Sequence, residues 1–172
     1  MIMKAKLFVG IFFLILISAK AQNKSCNCNV VLLKKNVYFS IYNSPAKEVL
    51  DSIIDNSKNE IYHLITIHET KRGWAKINAT TPNDSIGKSG WIEITNLGIY
   101  PNIYFKKLYL YAKPFKSSRI KSIILQPKYI PFMVIECDAK WLYVKYLDFD
   151  KKFKQGWLSP DNQCANPYSA CN

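Results

Sequence analysis

A motif that occurs twice constrains the fold of this 172-residue chain more than any other feature. Each occurrence has an aliphatic–aromatic opening, an Ile-Ile pair, a tryptophan and a closing Gly-Trp. The equivalent positions are Val37 and Leu108, Ile53 and Ile123, Trp74 and Trp141, and Gly90 and Gly156, at separations of 71, 70, 67 and 66 residues. The separations decrease along the chain, as expected when the first copy has slightly longer loops. The repeat therefore predicts two copies of one small fold.

The N-terminus has the pattern of a secretory signal peptide. Lys4 and Lys6 precede an apolar run at 7–17, and Ala19-Lys20-Ala21 forms an A-x-A cleavage site. The apolar run is shorter than the ~20 residues of a membrane-spanning helix. We expect cleavage after Ala21 and a secreted or periplasmic chain without a stable transmembrane anchor.

The charge of the chain is strongly positive, with 24 Lys and Arg residues against 12 Asp and Glu residues. Removal of the signal peptide with Lys4, Lys6 and Lys20 leaves 21 against 12. Such an excess favours anionic partners, for example an acidic cell-wall polymer. We expect no nucleic-acid partner, since an exported chain seldom meets one. The basic residues are spread in pairs, which is equally typical of a solvated basic surface.

The mature sequence predicts an all-β fold. Short stretches rich in β-branched and aromatic residues alternate with turn signals, and no helical period is sustained. In the segment 141–146, period-two alternation predicts that Leu142, Val144 and Tyr146 are buried. The polar segment 22–29 is expected to be irregular. Strands at this spacing are typical of a small barrel or sandwich.

The order of these features resembles the bacterial SH3-like (SH3b) domain family. Copy one supplies Val37-Tyr38, Ser44-Pro45, Ile53-Ile54, 73–77 and 90–92, and copy two supplies Leu108-Tyr109, Pro114, Ile123-Ile124, 140–144 and 156–158. The resemblance implies two small SH3-like β-barrels in tandem after the signal peptide of residues 1–21. Domain one would span 22–98 with an N-terminal extension, and domain two 99–172 with a cysteine-containing tail.

The family resemblance implies binding rather than catalysis. Such domains commonly bind peptidoglycan or mediate contacts in the cell envelope. The chain departs from the family pattern at two places. Neither copy has the arginine that usually follows the aliphatic residue of the opening strand, and copy one has Lys58-Asn59-Glu60 where the family usually has a glycine before the central strand. Ligand-contacting residues are therefore not transferred from the family.

The sequence assembles no catalytic or metal-binding set. His63 and His68 are five residues apart, so they point to opposite faces of a strand. Cys137 lies in an apolar strand, where a buried or disulfide-bonded role is expected. No glycine-rich phosphate loop is present. We expect no enzyme activity, no cofactor and no metal.

Five cysteines in an exported chain predict disulfide bonds. Cys164 and Cys171 close a short loop and are expected to pair. Cys26 and Cys28 are too close to pair comfortably with each other, so one of them can reach Cys137. The sequence leaves the pairing of these three open. Because the number of cysteines is odd, at least one of the five does not take part in a disulfide bond within the chain.

Aromatic residues near lysines form the remaining candidate site. Tyrosine and tryptophan suit sugar rings and peptides because they combine an apolar face with a polar edge. The predicted ligand-binding residues are Trp74, Tyr109, Tyr111, Trp141 and Tyr143. Trp91 and Trp157 are predicted to have structural roles at the ends of the barrels.

These patterns favour an exported, non-catalytic binding or interaction protein with tandem SH3-like domains. Its ligand would be a peptide, an envelope protein or a cell-wall polymer such as peptidoglycan. The alternative is an envelope inhibitor or immunity-type protein that blocks an enzyme through the face between the two barrels. A hydrolase ranks last, because no catalytic set assembles.

Overall fold

The computed structural model describes residues 24–82, 84–149 and 151–166. The predicted signal peptide and Cys171 lie outside the described residues. Within them the chain is all-β, as predicted, and its only helical elements are two short 3-10 turns. No helix in the described part of the chain is both long and apolar enough to cross a membrane.

The described residues form thirteen strands and the two 3-10 turns. The strands are β1 (Lys24–Leu32), β2 (Phe39–Tyr42), β3 (Val49–Ile53), β4 (Leu64–Lys71), β5 (Trp74–Thr81), β6 (Asp84–Glu93), β7 (Leu97–Pro101), β8 (Lys107–Tyr111), β9 (Ile120–Leu125), β10 (Phe132–Asp138), β11 (Trp141–Leu147), β12 (Phe153–Leu158) and β13 (Gln163–Cys164). The 3-10 turns are Ile94–Asn96 and Pro160–Asn162.

The strand order of the antiparallel sheet repeats with the sequence. It runs β3-β2-β6-β5-β4-β1-β7-β10-β11-β12-β8-β9, with β13 paired to β7. Each strand from β1 to β6 has its counterpart six strands later in the chain, and the counterparts appear in reverse order on the other side of the central β1–β7 pair. The two sequence copies therefore occupy mirrored positions in one sheet.

Irregularities of the sheet repeat as well. A β-bulge interrupts the β4–β5 pairing between Ile67 and Glu69, and another interrupts the β10–β11 pairing between Val134 and Glu136. A 3-10 turn follows the last strand of each Gly-Trp motif, at 94–96 and at 160–162. A β-bulge is a specific feature of a fold rather than a random defect. Its recurrence at equivalent positions supports a common architecture for the two copies.

Strand β7 serves both copies. β1 pairs with β4 and β7, and β7 in turn pairs with β10 and β13. β7 therefore takes the position of a last strand for copy one and of a first strand for copy two. The predicted domain boundary between residues 98 and 99 falls inside this strand. Residues 97–101, which the sequence places between the copies, thus belong to the sheet itself.

The expectation that residues 22–29 are irregular is wrong for residues 24–29, which belong to β1. Cys26, Cys28 and Val30 are buried, while Ser25, Asn27 and Asn29 between them are exposed. This is the period-two pattern of a half-buried strand, with cysteine as the small apolar residue. The polar residues on the exposed face concealed the pattern in the sequence.

A single apolar core joins the two copies. It includes the inward residues of the opening strands, Ile41 and Leu110, and the predicted inward residues of β11. Leu142, Val144 and Tyr146 are buried, as the alternation predicts. Trp141 and Tyr143 on the same strand point to the opposite, partly exposed face.

The glycine of each Gly-Trp motif permits a close approach of the opening strand. A Cβ atom on Gly90 would lie 2.7 Å from the carbonyl oxygen of Tyr42, and one on Gly156 would lie 2.9 Å from that of Tyr111. Backbone atoms cannot move aside without distorting the sheet. The repeated motif therefore marks the places where β6 contacts β2 and where β12 contacts β8.

Candidate functional site

A row of four uncharged polar residues crosses the outer face of copy one. Asn29, Thr66, Asn78 and Ser89 lie opposite one another on β1, β4, β5 and β6. We call them the polar row. The Thr66 hydroxyl donates to Asn29 Oδ1 at 2.9 Å, and the Ser89 hydroxyl donates to Asn78 Oδ1 at 3.1 Å. Directly opposite residues share a face of the sheet, so their amides and hydroxyls form one continuous surface.

Three residues of the polar row help to line a groove of about 720 Å³. Its lining consists of Asn29, Leu64, Ile65, Thr66, Asn78, Thr80, Pro82, Ala165 and Asn166. None of these side chains titrates near neutral pH. The groove thus offers amide and hydroxyl groups together with an apolar wall, which suits an uncharged sugar or an extended peptide.

An aromatic cluster lies on the same face of copy one. The rings of Tyr42 and Trp74 meet edge-on with centroids 5.1 Å apart, and Trp91 lies opposite Tyr42 in the sheet. We call these three residues aromatic cluster one. Trp74 and Asn78 are both on the outer side of β5 and are four residues apart, which corresponds to roughly 13 Å along a strand. The cluster and the polar row therefore share one face.

Aromatic cluster two occupies the equivalent place in copy two. It consists of Tyr111, Trp141, Tyr143 and Trp157. The rings of Tyr111 and Trp141 have centroids 5.6 Å apart, and those of Tyr143 and Trp157 have centroids 5.4 Å apart. The Lys121 ammonium donates to the Tyr143 hydroxyl at 2.8 Å. Trp157 is only 5 % exposed, so it forms the base of this cluster.

The five predicted ligand-binding residues are divided between the two copies. All five are partly exposed, but Trp74 lies in copy one and the other four lie in copy two. Tyr109 shares the outer face of β8 with Tyr111. β5 and β11 are five strand positions apart in the order of the sheet. Trp91 and Trp157, which the sequence assigns to structural roles, are both buried.

Sequence reasoning missed the polar row. Its members are the polar positions of strands whose other positions are apolar, and that alternation was the available signal. Their juxtaposition depends on which strands pair and in which register, and the single sequence does not reveal either. The row is not repeated in copy two, where the equivalent residues are Gly98, Met133, Lys145 and Gln155.

The two histidines differ in burial and in hydrogen bonding. His63 is buried, and its Nδ1 atom lies 3.0 Å from Asp55 Oδ1, which also accepts the backbone N–H of His63 at 2.9 Å. His68 is exposed on β4. The Asp55–His63 pair joins the two ends of the loop between β3 and β4. This is a structural role for His63, and the sequence gives no signal for Asp55 as its partner.

In each copy a lysine donates a hydrogen bond to a backbone carbonyl of the strand at the end of the sheet, β3 in copy one and β9 in copy two. Lys88 donates to the Ser52 carbonyl oxygen at 2.8 Å, and Lys154 donates to that of Ile123 at 3.0 Å. Lys88 also pairs with Asp51 at 2.9 Å, and Lys154 pairs with Asp148. The hydrogen bond from Lys154 holds the pKa of Asp148 below its ordinary value, although burial acts in the opposite direction.

No group of three or more potential metal ligands is suitably placed among the residues that the structure describes. A scan of the sequence against models of protein families and a search among curated proteins found no match.

Proposed function

We propose that this chain is an exported, non-catalytic binding protein of tandem SH3-like architecture, and that copy one holds a cell-wall polymer in the groove along the polar row. The observation that carries the proposal is that the polar row and aromatic cluster one lie on one face of copy one, with Lys76 between Trp74 and Asn78 on β5. Stacking of a ring on an aromatic side chain and hydrogen bonds to amides are the interactions that a neutral sugar requires.

The composition of the groove supports binding without chemistry. General acid–base or nucleophilic catalysis needs a titratable or nucleophilic group within reach of the substrate. The groove lining contains amides, hydroxyls and apolar groups instead. The basic surface of the chain would add attraction to an anionic wall, while the groove would supply the specific contacts.

Sedimentation with purified peptidoglycan sacculi tests the proposal. Residues 22–172 should pellet with the sacculi at both ~20 mM and ~150 mM salt, since hydrogen bonds and stacking are less salt-sensitive than surface attraction. Asn78→Ala should reduce the pelleted fraction several-fold. Gln155→Ala, which changes the exposed row of copy two, is the matched control and should leave it unchanged.

The same experiment has two outcomes that contradict wall binding in the groove. Protein that stays in the supernatant at low salt does not bind the wall. Binding that disappears at moderate salt, with equal behaviour of Asn78→Ala and Gln155→Ala, would be due to charge alone. Trp74→Ala and Trp141→Ala then compare the aromatic clusters, and equal losses would show that both copies bind.

Export is tested separately by cell fractionation. The proposal expects the mature protein in the periplasm or the medium, with Gln22 as its first residue by mass spectrometry of the intact chain. A cytoplasmic chain that retains residues 1–21 contradicts export.

One observation favours the alternative, an envelope inhibitor or immunity-type protein. β9 is the last strand at one end of the sheet, and Ile120, Ile123 and Leu125 on it are each more than 40 % exposed. An exposed apolar edge strand is suited to pairing with a strand of another protein. A protein partner that is captured by the wild type and lost when Ile123 is changed to Lys would support this function over wall binding.

A further inference from the structure

Three cysteine thiols meet where the two copies join. Cys28 of β1 and Cys137 of β10 have their Sγ atoms 2.9 Å apart, although 109 residues separate them in the chain. Both residues are almost fully buried. The Sγ–Sγ distance exceeds a disulfide bond of ~2.05 Å by less than ~1 Å.

The backbone holds these thiols in place. The Asn27 N–H donates to the Ala139 carbonyl oxygen at 2.8 Å, and the Ala139 N–H donates to that of Ser25 at 3.0 Å. These two bonds fasten β1 to the turn that follows β10. The hydroxyl of Thr70, the counterpart of Cys137 in copy one, also donates to the Cys137 carbonyl oxygen at 3.5 Å. The site is therefore built into the junction of the two copies.

Cys26 is the third member of the cluster. It lies two residues before Cys28 on the same buried face of β1, and its thiol is hydrogen-bonded to that of Cys137. Hydrogen bonds with Cys26 and Cys28, together with burial, raise the pKa of the Cys137 thiol. A thiol that resists ionisation is a poor nucleophile, so Cys137 is unsuited to act as a catalytic cysteine.

We propose that Cys28 and Cys137, whose Sγ atoms lie 2.9 Å apart, form a disulfide bond that links the two copies. In this reaction both S–H bonds break and one S–S bond forms. Two protons are released, and two electrons pass to the disulfide of an oxidant, which becomes two thiols. The oxidant is a thiol–disulfide oxidoreductase or a small disulfide such as oxidised glutathione. In the cell the reaction depends on the proposed export, because an oxidising compartment supplies such oxidants.

The bond would close a loop over residues 28–137 that contains aromatic cluster one and, from aromatic cluster two, Tyr111. In the chain-entropy view, a longer loop gives a larger stabilisation because the unfolded chain loses more freedom. For a loop of this length we expect the melting temperature to rise on the order of 10 °C on oxidation. Oxidation must occur before the thiols are buried, because the folded protein excludes an oxidant from them.

Refolding of purified residues 22–172 with reduced and oxidised glutathione tests the pairing without any dependence on export. Trypsin releases Cys26 and Cys28 together in the peptide 25–34 and Cys137 in the peptide 129–140. Non-reducing peptide mapping should find these two peptides cross-linked in the wild type and in Cys26→Ser. The cross-link should be absent from Cys28→Ser and Cys137→Ser.

The melting temperature provides the second measurement. The reduced protein is prepared by refolding in dithiothreitol. Cys164 is also disulfide-bonded and is reduced by this treatment, so Cys28→Ser serves as the control for that effect. On reduction, the melting temperatures of the wild type and of Cys26→Ser should fall by about 10 °C more than that of Cys28→Ser.

A wild type in which all three thiols remain open to alkylation after oxidative refolding would overturn the proposal. So would a cross-link that persists in Cys28→Ser. If Cys28→Ser fails to fold, fragmentation of the cross-linked wild-type peptide between Cys26 and Cys28 locates the bond directly, and a bond at Cys26 overturns the proposal.

Discussion

Copies one and two place different side chains at equivalent points of one repeated sheet. Across β1, β4, β5 and β6, copy one presents Asn29, Thr66, Asn78 and Ser89. Across β7, β10, β11 and β12, copy two presents Gly98, Met133, Lys145 and Gln155. The Lys145 ammonium lies 4.1 Å from the ring centre of Phe153. Copy two thus has a glycine, an apolar side chain and a charged side chain at three of the four positions, and only Gln155 is neutral and polar like its counterpart in copy one.

What the copies share is equally informative. Both keep the glycine at the close strand approach, the buried tryptophan after it, the β-bulge and the lysine that binds a carbonyl of the outer strand. These features fix the backbone, whereas the row residues point away from the core. The fold therefore constrains the inner side of the repeat, whereas the outer side can differ between the copies.

The largest expected effect comes from the glycines that both copies share. Gly90→Ala and Gly156→Ala should each lower the free energy of unfolding by roughly 2–4 kcal/mol, because the new Cβ meets a backbone carbonyl. Gly90→Ala should cost more, since its Cβ would come closer to the Ile41 side chain than a Cβ on Gly156 would come to the Leu110 side chain. Urea denaturation measures both. Ser89→Ala and Gln155→Ala, one residue away on the same strands, are the controls, and glycine variants no less stable than these would refute the close-approach argument.

A swap of one residue tests how the aromatic clusters differ. Lys76 of copy one lies opposite Trp91, whereas Tyr143 of copy two lies opposite Trp157. Tyr143→Lys should lower the free energy of unfolding by about 1–2 kcal/mol through lost ring contact and buried area. Lys76→Tyr should leave stability unchanged or raise it by about 0.5 kcal/mol. Thermal melts followed by tryptophan fluorescence measure both changes. If Lys76→Tyr lowers the stability as much as Tyr143→Lys does, the two aromatic clusters are not equivalent.

The smallest expected effect concerns Asp51 and Asp148, the carboxylates that pair with Lys88 and Lys154. The Asp148 side chain is 10 % exposed, whereas that of Asp51 is 46 % exposed. Asp148→Asn should lower the free energy of unfolding by about 1 kcal/mol at neutral pH. Asp51→Asn should have no measurable effect, because solvent screens its ion pair.

The Asp148 effect has a defined pH dependence. The pKa of Asp148 in the folded protein lies below its ordinary value of 3.8, so its charged form stabilises the fold above that pH. The stability difference between wild type and Asp148→Asn should be constant from about pH 5 to pH 8 and should shrink as the pH falls below about 4. A difference that persists at about pH 2 would show that the ion pair with Lys154 is not its cause.

The parts of the structure that could be predicted from the sequence are those with a local sequence pattern. The alternation in 141–146 correctly predicted the buried face of β11, and the repeat anticipated equivalent strands in two copies. The first half of β1 was not predicted as a strand because its inward residues, Cys26 and Cys28, alternate with polar residues. The polar row and the Asp55–His63 pair depend on which distant strands and loop ends meet, and a single sequence contains no direct record of such contacts.

Strand β7 makes the two copies inseparable. A cut at residue 98 divides this strand, and removal of either copy deprives it of a neighbour on one side. Neither copy is therefore a transferable module, and a fusion protein that carried copy one alone as an affinity tag would expose an unpaired strand edge that invites aggregation. The unit that selection and protein engineering can act on is the pair.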